Sequence, residues 1–195
     1  MKFHLLLFIL IGSSVFAQDK SIDKSSIETL TFSEVVKVDS LITSNELFFR
    51  AQTWFVDMFK NSKEVIQLAD KENGKIIGKG SFDYNSRVFS GSETTKGLIR
   101  FTIIISLKSG RYKYEFTDFI HEGNKFARYG DISFGLITTS VDCPKNFPGK
   151  ITGKKWKDNV WYDIKSQINT NINPLKINLI QSMEKVSMKS GEDDW

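Results

Sequence analysis

Between Arg100 and Glu122 the chain reads RFTIIISLKSGRYKYEFTDFIHE, with apolar and polar residues alternating on both sides of Ser109-Gly110. Side chains on a strand change face with a period of two, so this pattern predicts a long β-hairpin. An even-numbered turn sets Leu107 opposite Tyr112, Ile105 opposite Tyr114, Ile103 opposite Phe116, Phe101 opposite Asp118 and Ile99 opposite Ile120. All but one of those partners are apolar or aromatic. A three-residue loop would set Leu107 against Arg111, so the pattern itself selects the register. A single hairpin is not stable alone in water, and the rest of the chain must cover its apolar face.

Upstream, Thr31–Asp39 alternates with Phe32, Glu34, Val36 and Val38 on one parity and predicts a first strand. Thr43-Ser44-Asn45-Glu46 is a capping box, and it opens a helix running to about Lys60. Its buried stripe is Leu47, Phe48, Ala51, Phe55, Met58 and Phe59, with Trp54 beside it. Glu64–Ala69 predicts a second strand, Asp70–Gly74 a turn and Lys75–Tyr84 a third strand. The glycines in GKIIGKG do not open a helix and lack the phosphate-loop ending, so they indicate close packing or a bulge rather than nucleotide binding. Gly123–Lys155 is heavily punctuated by Gly and Pro, and 132–141 within it is a candidate added strand.

From Trp156 onward Val160, Ile164, Ile168, Ile172, Leu175, Leu179, Met183 and Val186 recur every three or four residues, with Trp161 and Ile180 widening the stripe. Pro174 removes an amide and crowds the preceding turn. The apolar phase does not slip across it, which predicts one long kinked helix lying over the hairpin. Together these elements predict an α+β fold.

Residues 1–18 (MKFHLLLFILIGSSVFAQ) pair one lysine with the apolar run Leu5–Ile11 and end in small residues. That is the pattern of a signal peptide cleaved near Ala17 or Gln18, and it predicts export to the periplasm or the extracellular space. The run is too short for a spanning helix, and no later stretch predicts a transmembrane segment. The division that follows is a signal peptide 1–18, a flexible lead 19–30, a single domain 31–189 and a frayed tail 190–195. Losing Lys2 with the leader lowers the net charge from +4 to +3, too little and too evenly spread for nucleic acid to be the expected partner.

Cys143 is the only cysteine, and His121 the only histidine after the leader, which excludes an intramolecular disulfide and a four-ligand N/S zinc site. No metal and no cofactor is expected. The basic cluster Lys150, Lys154, Lys155 and Lys157 around Trp156 reads as a solvated helix entry, the alternative being a surface for an acidic partner or a membrane.

The succession WFVDMFKNSKEVIQLADKENGKIIGKG, an apolar strand, then LKSGRYKYEFTDF resembles a family of secreted bacterial domains of unknown function with a TATA-binding-protein-like fold. The resemblance covers roughly residues 31–122. It implies the order β-α-β-β-β-β-α, one curved antiparallel sheet covered on one face by two helices. It implies no activity, and DNA binding does not follow from the fold's name.

The expected function is a binding or interaction module. One form is an apolar pocket for a small ligand between sheet and long helix. The other is an envelope protein–protein contact through a strand edge or the 123–155 loop. An enzyme ranks last. The candidate ligand-binding residues are Asp118, Phe101, Tyr114 and Phe116. Asp118 interrupts the apolar face either where that face runs out, with amides or a cation taking its oxygens, or as the polar group of an otherwise apolar pocket. Both accounts place it on the helix-covered face.

Overall fold

The computed structural model describes residues 28–59, 62–88, 92–124, 132–144 and 153–184. The residues expected to form the signal peptide, most of the lead and the expected tail lie outside them. In chain order the elements are β1 (Phe32–Lys37), α1 (Ser44–Met58), α2 (Ser62–Val65), β2 (Ile66–Asp70), β3 (Lys75–Tyr84), α3 (Ser92–Thr95), β4 (Gly97–Lys108), β5 (Arg111–Gly123), β6 (Gly135–Leu136) and α4 (Lys154–Glu184). The strands form one curved antiparallel sheet in the order β1-β5-β4-β3-β2, with β6 also on β5. The two long helices, α1 and α4, supply the cover for one face, as the α+β reading required. The added strand expected within 132–141 is the short β6.

The lead is tied down earlier than expected. Leu30 donates its amide to Ile137, Thr139 donates to Glu28, and Thr29 bridges Thr138. Residues 28–30 therefore belong to the domain.

Helix α1 starts where the capping box places it. Thr43 has extended backbone, and its hydroxyl accepts the Glu46 amide at 3.2 Å. Thr43→Ala should lower stability by about 1 kcal/mol, read as a fall in the urea midpoint. Trp54 sits at the centre of the buried face, together with Leu47, Ala51 and Phe55. Gly78 lets this helix approach the sheet: a Cβ there would lie 2.5 Å from the Phe55 ring. Close packing, not phosphate binding, is the use of that glycine.

Helix α4 runs unbroken from Lys154 to Glu184 with Pro174 inside it, so the proline does not split it. Val160, Trp161, Ile164, Ile168, Ile172, Leu179 and Met183 are buried. Asp163 fastens the helix to the sheet, accepting from the Tyr84 hydroxyl at 2.8 Å, Gln167 at 3.0 Å and the Arg87 amide at 3.1 Å. At the other end Arg50 of α1 donates to the Met183 carbonyl at 2.7 Å, a cation placed where the helix dipole favours it.

The hairpin follows the expected register from Lys108/Arg111 to Thr102/Thr117, then shifts. Beyond it Arg100 faces Ile120 and Ile99 faces His121, where the continuous pattern set Ile99 against Ile120. The extra residue is Asp118, whose φ is +54°. This is a β-bulge, and it corrects the expected position of Asp118: the carboxylate is exposed on the face opposite the helices. The reason is energetic. Burying an unpaired carboxylate beside Phe101 costs several kcal/mol, whereas a left-handed backbone at an aspartate costs about 1–2 kcal/mol. Turning Asp118 outward brings Phe119 into the core, 5.7 Å from the rings of Phe101 and Phe32.

The shift also buries His121 completely. Its Nε2 lies 2.8 Å from the Thr95 carbonyl and its Nδ1 accepts the Phe134 amide at 3.1 Å. That pair of partners selects the neutral ring protonated on Nε2. Burial pushes the imidazole below its ordinary value of 6.5, against smaller opposing effects of the Thr95 carbonyl and Glu122. A lowered pKa means that the unfolded chain takes up the proton more readily. The stabilisation is therefore complete above about pH 6.5 and is lost as pH falls through the folded value. The urea midpoint should fall from about pH 7 to about pH 5.5, and His121→Phe should flatten that slope.

Candidate functional site

The open face of the sheet carries the candidate site, because the bulge reshapes it there. On that face β3 contributes Lys79 and Ser81, β4 contributes Arg100 and Thr102, and β5 contributes Asp118 and Ile120. Short β2 pairs with β3 only as far as Gly78, and α2 rises beside the strand just there, adding Glu64 and Val65. The result is a concavity of about 340 Å³ with Gly80 and Phe101 also in its lining. Its charges are balanced, two cations against two carboxylates. Arg100 donates to Glu122 at 2.8 Å, an exposed pair worth under about 1 kcal/mol and easily rearranged. The hydroxyls of Ser81 and Thr102 add donors and acceptors, and Val65 and Ile120 supply apolar surface.

The four candidates from the sequence divide between this face and the core. Asp118 and Phe101 line the same concavity. Phe101 is nonetheless 3% exposed and belongs to the core, with ring contacts to Phe82, Phe116 and Phe119. Tyr114 and Phe116 are buried, 5.8 Å apart ring to ring. Tyr114 donates its hydroxyl to Glu34 at 2.7 Å. Burial, with Glu34 adding to it, pushes that phenol well above its usual range.

Lys79, Arg100 and Glu64 were not among the expected site residues. They come together only through the register of three strands and the early end of β2, and no spacing along the chain signals it. Other expectations resolve simply. Lys154 pairs with Asp142 at 3.0 Å and Asp158 at 2.7 Å, while Lys150 lies outside the described residues. The Cys143 amide donates to Asp158, and burial raises its thiol pKa, so the sulfur is not an activated thiolate. Among the described residues no group of three His, Cys, Asp or Glu side chains could hold a metal ion, and no helix is long and apolar enough to cross a membrane.

Comparison with known proteins agrees with the architecture. Residues 32–122 match the model of a domain of unknown function (DUF4468) with TBP-like fold. The structure is similar to the crystal structure of a TBP-like protein from Parabacteroides distasonis, with a TM-score of 0.50 and 14% identity, over 77% of this chain and 94% of that one. It is also similar to a DUF4468 family protein from Bacteroides ovatus, with a TM-score of 0.49 and 11% identity, over 83% and 90% of the two chains. No curated protein matches the sequence.

Proposed function

Over residues 32–122 this chain belongs to the DUF4468 domains of TBP-like fold, and on that footing we propose that it is an exported binding module whose site is the open-face concavity beside the bulge. The observation that carries the reading is Asp118. A non-glycine residue in the left-handed region at a bulge is a local cost, and bulges re-aim side chains beside sites of function. The balanced charges and the apolar patch suit a ligand with both polar and apolar groups, such as a segment of a protein partner, better than a polyanion. A pocket between sheet and long helix is the weaker form, since Phe101, Tyr114 and Phe116 are spent on core packing.

The test is native mass spectrometry of the purified protein beside its Asp118→Asn variant. Asparagine also accepts the left-handed backbone, so the bulge persists while the charge is lost. The expected result is an associated species on the parent that is reduced or absent on the variant, at an unchanged unfolding midpoint. A variant that keeps the species, or a parent without one, contradicts the reading. Export rests on the leader pattern, and N-terminal sequencing should return a chain starting near Gln18 or Asp19.

A further inference from the structure

The other end of the open face carries a charge pattern that folding does not explain. At the hairpin tip Lys37 of β1 faces Arg111 of β5, and Arg111 faces Lys108 of β4, a cross-strand row of three cations. One row further in, Lys113 faces Ser106, which faces Lys75. Like charges directly opposite one another weaken a sheet, so the row lowers stability. Glu115 and Asp70 accompany these side chains on the face, and Asp39 and Glu184 line a concavity together with Lys37. Glu115 pairs with Lys113 at 3.0 Å, and Asp70 stands opposite Lys75. Lys108, Arg111 and Lys113 line a concavity of about 330 Å³ together with Val35, which is 57% exposed.

The same end projects an apolar side chain. Leu41, in the loop between β1 and α1, is 85% exposed. The loop is fastened to the hairpin turn: Gly110 donates to the Ile42 carbonyl and Val38 to the Gly110 carbonyl, each at 3.0 Å. Asp39 is engaged locally, accepting the Leu41 amide at 2.9 Å.

We propose that this end of the domain docks on an anionic lipid surface, with the Lys37–Arg111–Lys108 row on the headgroup phosphates and Leu41 in the interfacial layer. Cations near such a surface and an apolar side chain held out among them are the two components of peripheral membrane binding. A soluble polyanion would engage the cations but leave Leu41 without a role. The surface lies at the opposite end of the hairpin from the bulge concavity, so it does not depend on that reading.

The experiment is co-sedimentation with vesicles of phosphatidylglycerol in phosphatidylcholine, against phosphatidylcholine alone, with parent and variants prepared alike. The parent should bind in a phosphatidylglycerol-dependent way and be released at high salt, where the screening length falls to about 3 Å. Each cation removed should weaken binding roughly fivefold, so Lys37→Ala, Lys108→Ala and Arg111→Ala combined should weaken it about a hundredfold. Leu41→Ser should weaken it about tenfold at an unchanged unfolding midpoint. Lys108→Glu, which turns a repulsive pair into an attractive one, should keep or raise that midpoint while vesicle binding falls. Equal binding to both vesicles, binding to neither, or a Lys108→Glu variant that binds like the parent overturns the proposal. Retention on heparin without vesicle binding overturns it too and assigns the row to a soluble polyanion.

Discussion

Phe101→Ala should lower stability by about 3–5 kcal/mol, the usual cost of truncating a buried phenylalanine. The ring lies over Gly80 on the neighbouring strand and within 6.2 Å, centroid to centroid, of Phe82, Phe116 and Phe119. Its loss leaves a cavity at the point where the bulge changes the strand pairing, so little can close in to fill it. A residue held out to contact a ligand would give a much smaller loss, because its surface is already in water. Urea unfolding of the variant separates these roles, and a midpoint near the parent's would return Phe101 to the list of ligand contacts.

Gly97→Ala should cost about 3 kcal/mol or more, and it comes from a different source. A Cβ at Gly97 would overlap the carbonyl group of Glu122 on the paired strand. The neighbour in the way is backbone, held by the β4–β5 ladder and by Gly123, where an added Cβ would lie 2.8 Å from the Ile132 carbonyl oxygen. No side chain can rotate aside. Low soluble yield and a sharply reduced unfolding midpoint are the expected readout, and near-parental stability would mean that the two strands are further apart than described.

Much of the architecture was legible because local and global signals agree. The capping box at Thr43, the boundaries of Lys75–Tyr84, the hairpin turn and the helical phase from Trp156 each follow from residues that have one favourable place to go. The phase did not slip across Pro174, and the helix does not break there. Trp54 went deeper than its place beside the stripe implied, since a wide helix face is buried when a second helix packs alongside.

The bulge was not legible. In TDFIHE, strict alternation keeps Ile120 inside and expels Phe119, while the bulge does the reverse and draws His121 in with two hydrogen bonds. The choice depends on what lies opposite, on the Thr95 and Phe134 partners, and on the cost of burying Asp118. Apart from the Asp118 carboxylate itself, none of these is local to the strand. The candidate site failed in the same way, because Lys79, Arg100 and Glu64 meet only after the register is set. The cation row was hidden likewise, since Lys37 and Lys108 are adjacent only across Arg111.

The binding site proposed beside the bulge rests on the bulge turning Asp118 away from the core, and cross-strand NOEs along β4 and β5 test it most directly. The expected spectrum links Ile99 with His121 and Arg100 with Ile120, while Thr102 still meets Thr117. It also shows a positive φ at Asp118. NOEs joining Ile99 to Ile120 and Arg100 to Phe119 would mean a continuous register with Asp118 facing Phe101 beneath the helices, and would contradict the account.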